Sequence, residues 1–208
     1  MKLTKDEFLE YAQKSLENAK ELIEDGNLLL ENNKYARAFT LFQLSIEEIG
    51  ASLLILESIL FEKYIYRKQQ NALLGQIRNH KIKIKSAQRI DLLLALYVKD
   101  EKTKKTLINN AIKQSKQIDK INKYKKYSLY VSFIIGKIVK PSEKFDKSIV
   151  EDLKFYSEIR YEATKQFNEA LIKNLDEITE KFKTMDSEDF IKNPPQEIKD
   201  LISVVENA

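Results

Sequence analysis

Apolar residues recur at helical spacing along most of the chain and are densest from Tyr35 to Leu60, in YARAFTLFQLSIEEIGASLLILESIL. There they fall on nearly every side of a helix, so the pattern predicts one long central helix enclosed by its neighbours. Arg37, Leu41, Leu44 and Glu48 stand four, three and four residues apart, which at about 100° per residue puts them on one stripe. That stripe mixes charge with core, and Glu47 lies roughly a quarter turn away. A buried charge without a partner costs on the order of several kcal/mol. Arg37 and Glu48 are therefore expected to meet polar groups from another helix, either as an ion pair that pins register or as a functional pocket.

The flanking segments extend the helical pattern. Thr4 with Glu7 forms a capping box, and Phe8, Tyr11, Ala12, Leu16, Ala19, Leu22, Ile23, Gly26 and Leu29 keep helical spacing to about Leu30. Glu31, Asn32 and Asn33 suit an antiparallel turn into the central helix. That helix is expected to continue past Leu60 through Phe61 and Tyr64, with a turn or kink over residues 67–71. Helical spacing resumes over residues 73–98. A further helix over residues 103–121 sets lysines above a thin stripe of Leu107, Ala111, Ile118 and Ile121. The aromatic and β-branched run YSLYVSFIIGKIVKP, residues 127–141, reads as an extended loop or short hairpin ended by Pro141. A last long helix is expected to start between residues 146 and 149 and to reach about Phe182. Ile149, Leu153, Tyr156, Ile159, Ala163, Phe167, Ala170 and Leu171 would face inward. Pro194 and Pro195 then introduce a short helix over residues 196–205. The prediction is an all-α, up-down helical bundle over residues 1–185, with a long central helix, a loop or small hairpin near 127–141, and a C-terminal appendage over 186–208.

Composition narrows this picture. Four glycines and three prolines in 208 residues favour long helices over an all-β or α/β plan. The absence of cysteine excludes disulfides, thiolate metal sites and thiol nucleophiles. The first residues lack the apolar core of a signal peptide, and no later run is read as the roughly 18 apolar residues of a membrane span. A soluble, cytoplasmic protein with no membrane contact is expected. Net charge is only +4, yet residues 102–126 hold nine lysines. Such a basic face is either solvated helix surface or a surface for phosphate.

Few residues offer chemistry. His80, the only histidine, stands in GQIRNHKIKIK and shares a helical stripe with Leu73, Ile77, Ile84 and Ala87, which predicts a half-buried side chain. It is either a satisfied core residue or a proton carrier. Arg78, Lys81 and Lys85 form an adjacent cationic edge, and a titrating imidazole beside fixed cations is equipment for metal-free phosphodiester cleavage. Adjacent Glu47 and Glu48 point about 100° apart on a helix and with one histidine make no metal-ligand set. Phosphate-cradling glycine loops and a nucleophile elbow are missing from the sequence. No cofactor is expected.

The run ENAKELIEDGNLLLENNKYARAFTLFQLSIEEIG, then RNHKIK, then LYVSF with Pro141 and Ser142 about ten residues on, resembles the AbiV-type abortive infection proteins of bacteria, in or near the HEPN superfamily. In that family an Arg-Ala pair opens the central helix, a Glu-Glu-x-Gly-Lys element follows, and a His-Lys-x-Lys element comes later. Here these are Arg37 and Ala38, Glu47 to Ala51, and His80 to Lys83. The chain departs in two places. Ala51 stands where the family usually has lysine, and Arg78 precedes His80 by only two residues, whereas HEPN ribonucleases separate Arg and His by four to six.

The resemblance implies bacterial antiphage defence by growth arrest and a helical homodimer, with metal-independent ribonuclease activity as in many HEPN proteins. On that reading His80, Arg37, Glu48 and Arg78 would be catalytic, Lys81, Lys83 and Lys85 would hold RNA phosphates, and Glu47 and Asn79 would support them. RNA would be cut in a composite cleft between two protomers. The alternative is a non-catalytic module that binds a phage-encoded or host protein, with Tyr127, Tyr130 and Phe133 as its anchor surface.

Overall fold

A computed structural model describes residues 2–60, 66–97 and 100–184. In these residues the chain forms eight α-helices and one small hairpin: α1 (Lys5–Glu31), α2 (Tyr35–Leu60), α3 (Arg67–Ile77), α4 (His80–Tyr97), α5 (Glu101–Ser115), α6 (Ile118–Leu129), β1 (Ser132–Ile134), β2 (Lys137–Val139), α7 (Lys147–Lys173) and α8 (Leu175–Thr184). The fold is all-α, and α2 starts at Tyr35 as its apolar run predicts.

Helix α1 starts at the expected capping box, with Thr4 Oγ1 accepting from the Glu7 N–H at 3.2 Å and Glu7 Oε2 from the Thr4 N–H at 2.7 Å. It lays Phe8, Ala12, Leu16, Ala19 and Ile23 along α2. The pair closes tightly at Gly26, where a Cβ would sit 2.8 Å from the Phe42 ring. Asn33 makes the turn between them at φ 58, a left-handed conformation that asparagine tolerates. By length and composition α2 could cross a membrane, contrary to the reading that no run is apolar enough. In this fold 83% of its most apolar window is buried, because α1, α4, α6 and α7 pack around it. It is the core helix of the bundle.

Several boundaries differ from expectation. Residues 67–71 open α3 and are no kink, since Arg, Lys and Gln favour helix even where the apolar pattern lapses. The helix expected over 73–98 is broken at Arg78 and Asn79 and restarts at His80. The lysine-rich helix is two, α5 and α6, and α6 runs on to Leu129, so Tyr127 is helical and packs on Tyr124. The last long helix breaks at Asn174 into α7 and α8. Phe61, Tyr64 and residues 196–205 lie outside the described residues.

The hairpin expected near 127–141 forms, with Ser132 opposite Val139 and Ile134 opposite Lys137. Its two-residue loop, Ile135 and Gly136, has positive φ at both positions (47 and 76), as a type I′ turn requires.

Candidate active site

The site is set by one close approach. A Cβ at Gly50 would lie 1.9 Å from the Lys83 carbonyl oxygen, so α2 and α4 cross backbone to backbone there, a contact only glycine permits. The crossing brings the first turn of α4 over Glu47, one turn ahead of Gly50. Asn79 starts that turn, its Oδ1 accepting from the Lys81 N–H at 3.0 Å and the Ile82 N–H at 3.4 Å. Its part is to cap α4 and so to hold His80 at the helix N-terminus.

Glu47 is fully buried and meets donors from two other helices. Its Oε2 lies 2.5 Å from His80 Nδ1 and its Oε1 accepts from Lys125 Nζ of α6 at 2.5 Å. Lys83 Nζ stands 3.7 Å from Glu47 Oε2 and 3.1 Å from Glu48 Oε1. Two carboxylates thus balance two buried ammonium groups, which a buried charge needs if the fold is to tolerate it. The imidazole differs from the rest: its side chain is 53% exposed, whereas Glu47 is 1%.

This network assigns the tautomer of His80. A carboxylate only accepts, so the Glu47 contact requires Nδ1 to carry a hydrogen. Lys125 Nζ, 3.2 Å from Nδ1, then donates to Glu47 and not to the ring. Nε2 is left as the ring nitrogen with a free lone pair, on a side chain that is 53% exposed. A carboxylate that fixes an imidazole in this tautomer is the arrangement by which a histidine is oriented for proton transfer.

The remaining predicted residues fall into three groups. Arg78, Lys81 and Lys85 are exposed, with Lys81 Nζ 2.5 Å from Asp119 Oδ1, and Lys85, five residues after His80, lies about 140° round α4 from it. Lys83 is buried against the two glutamates, which corrects its expected role as a phosphate ligand. Arg37 does not meet Glu48. Ten residues separate it from Glu47, about 15 Å along the helix, and it is exposed in a separate pocket of about 530 Å³ with Lys140, Pro141 and Ser142. The stripe it shares with Leu41, Leu44 and Glu48 is the most exposed face of that part of α2, and Glu47 is the buried carboxylate. Tyr127 is partly buried between Tyr124 and the Lys144 ammonium, while Tyr130 and Phe133 are exposed. Among the described residues no three His, Asp or Glu side chains gather to hold a metal ion.

Sequence reasoning missed Lys125. A signal was present: Ile118, Ile121, Lys125 and Ser128 follow one another at three, four and three residues, which places a lysine on the core stripe of α6.

The sequence model HEPN_AbiV, described as AbiV, matches residues 7–162. The chain belongs to the AbiV family. No curated protein and no solved structure matches it. The matched span contains the whole Glu47, His80, Lys83 and Lys125 cluster. AbiV membership points to abortive-infection defence, and HEPN domains are generally ribonucleases. The AbiV-like motifs also acquire a spatial logic. Glu47, Glu48 and Gly50 of one element and His80 and Lys83 of the next converge at the helix crossing, while Arg37 gathers with Pro141 and Ser142 elsewhere.

Proposed function

We propose that this AbiV-family protein arrests the growth of infected cells by metal-independent cleavage of RNA, with His80 as the proton-transfer residue. The observation that carries this reading is the half-exposed imidazole whose Nδ1 is tied to a buried carboxylate. Nε2 takes the proton of a ribose 2′-hydroxyl, the 2′-oxygen attacks the adjacent phosphorus, and the 5′-oxygen leaves with a proton from an imidazolium. The products are a 2′,3′-cyclic phosphate and a 5′-hydroxyl. Arg78 and Lys81, exposed and close to His80 in sequence, hold the phosphate, with exposed Lys85 further along α4. Glu47 acts through His80 by orienting it. A homodimer would set two such sites along one cleft, and the part-exposed stripe of Arg37, Leu41, Leu44 and Glu48 is the face of α2 left for a second copy.

Purified protein should cut single-stranded RNA in the presence of chelator. His80→Ala should lower the rate by roughly 10²- to 10⁴-fold. Its melting should barely change, because Glu47 keeps both lysines. RNA left intact by the protein, alone and with phage extract, while cells still arrest would remove the enzyme reading.

A second reading rests on the hairpin. Phe133, Ile135 and Ile138 are 76%, 96% and 77% exposed, an apolar tip suited to a protein partner, phage-encoded or host. Protection retained in His80→Ala and lost in Phe133→Ser would favour that binding module.

A further inference from the structure

The AbiV-like residues that stay apart from the His80 cluster meet in a cavity of about 530 Å³, formed by the start of α2, the end of α6 and the chain that leaves the hairpin. Its volume lies within the range of about 300–1,000 Å³ typical of small-molecule sites. Arg37, Pro141 and Ser142 line it, and the cleavage chemistry at His80 uses none of them.

The charge of this cavity is one-sided. Lys34, Arg37 and Lys140 line it, all are exposed, and none has a carboxylate partner among the described residues. Its lining holds no Asp or Glu, whereas the cavity between α2, α4, α6 and α7 includes Asp152 and the one between α1 and α8 includes Asp6, Asp176 and Glu177. Glu143, three residues after Lys140, turns Oε2 to the Lys140 backbone N–H at 2.9 Å. The first turn of α2 carries no acidic residue, so the dipole of this 26-residue helix adds positive potential where Lys34 and Arg37 already stand.

The uncharged polar groups share the bias. Asn33 Oδ1 accepts from the Tyr35 hydroxyl at 2.6 Å, which leaves the Asn33 amide with N–H groups to give. Ser128 is spent on Thr40 and the Lys125 carbonyl, while Ser142, exposed, has no hydrogen-bond partner among the described residues. What these side chains have left to offer is mainly donors, and the group that matches them accepts only and carries more than one negative charge. A phosphate monoester has about −1.5 to −2 charge and three acceptor oxygens at neutral pH, where a carboxylate or one link of an RNA backbone brings a single charge. Leu129, Val131 and Pro141 give apolar surface to the organic group that such a phosphate carries.

We propose that this cavity binds a phosphate monoester, with Arg37 as its bidentate ligand and Lys34 and Lys140 as flanking charges. The monoester comes either from a free molecule of nucleotide size or from the phosphorylated end of an RNA chain. Neither source depends on cleavage at His80.

The test is binding to the full-length protein, which needs no cleavage. AMP and adenosine are titrated calorimetrically, followed by 2′-O-methyl RNA hexamers with and without a 5′-phosphate, which lack the attacking hydroxyl. The phosphorylated member of each pair that binds is expected to be held roughly tenfold or more tighter. Arg37→Gln should remove most of that gain and Lys140→Gln should reduce it, with melting temperatures unchanged or higher because like charges are thinned. Arg78→Gln, next to His80, should leave the gain intact. A gain for AMP supports the free source, and a gain confined to the hexamers supports the RNA end. Equal binding with and without phosphate, a gain that survives Arg37→Gln, or one lost in Arg78→Gln overturns the pocket. So does a protein that binds no phosphate and passes from dimer to monomer in Arg37→Gln, because the charges then serve a second copy. Phosphate bound by a protein that cuts no RNA would keep the pocket and remove the nuclease reading alone.

Discussion

Helix α4 carries two buried charge clusters that differ in how they are closed. Toward its C-terminal half, Asp91 accepts from Arg160 of α7 through both oxygens, Nε to Oδ1 at 2.9 Å and Nη2 to Oδ2 at 2.5 Å, and both residues are under a tenth exposed. At its first turn, Glu47 is equally buried, but one of its partners is an imidazole open to solvent. Buried charge alone therefore does not mark function here. The Asp91 pair can change neither its charge nor its partners without uncovering an ion, which suits a structural clamp. His80 reaches solvent while Glu47 stays covered by Lys83 and Lys125. The contrast to look for is a buried carboxylate whose partner reaches water.

The largest expected effect is on the closed pair. Asp91→Ala removes the carboxylate that accepts from Arg160 through both oxygens at a site that is 2% exposed, and should destabilise the fold by about 3–5 kcal/mol. Urea unfolding measures this directly. The double substitution Asp91→Leu with Arg160→Met should recover much of the loss, because both charges of the buried pair are then removed. If Asp91→Ala alone costs under about 1 kcal/mol, the clamp account fails.

Much of this architecture was legible in the sequence and some was not, for a common reason. The start of the central helix, the capping box, the first turn and the hairpin each follow from local rules, and each has the expected form. Arg160 illustrates the failures. Apolar periodicity puts Ala163, Leu171 and Ile159 inward; Ala163 and Leu171 are buried, yet Ile159 is 40% exposed, and Ser157, Arg160, Thr164 and Asn168 are buried on α7 as well. Three of these polar side chains pair across helices, Ser157 with Ser45 at 2.5 Å, Asn168 with Ser52 at 2.9 Å and Arg160 with Asp91. Hydrophobic patterning has no means of registering such partners. The candidate site divides in the same way. His80 and its exposed neighbours were readable as chemistry, whereas the choice of Glu47 over Glu48 depends on the angle at which α4 crosses Gly50, and Lys125 reaches Glu47 from a helix 78 residues away. A shared stripe links Arg37 with Glu48 in the sequence, but that stripe is the one α2 turns outward.

A smaller effect is expected at the open cluster. Lys125→Met removes one ammonium yet leaves Glu47 with His80 and Lys83, so the loss should be roughly 1–3 kcal/mol, below that of Asp91→Ala. Cleavage should fall further than stability explains, because Lys125 helps to fix the carboxylate that orients the imidazole. Rates compared at a temperature where both proteins are fully folded separate the two contributions. An unchanged rate under those conditions would show that Lys125 serves packing only.

The smallest effect belongs to the ion pair that shares neither property, being exposed at both ends. Lys81 and Asp119 join α4 to α6 at 2.5 Å, with side chains 53% and 82% exposed. Water and salt screen such a pair, so Asp119→Ala should cost at most about 0.5 kcal/mol. Its consequence should appear in binding, because the substitution frees Lys81 and removes the acidic group beside the cationic edge of His80. RNA affinity should rise at low salt, and its logarithm should fall more steeply with the logarithm of salt concentration, by up to about one ion released. Fluorescence anisotropy of a labelled RNA across a salt series reads both quantities. A flat response, with affinity and salt slope both unchanged, would place the RNA path away from Lys81 and leave His80 as a proton carrier without its expected phosphate ligand.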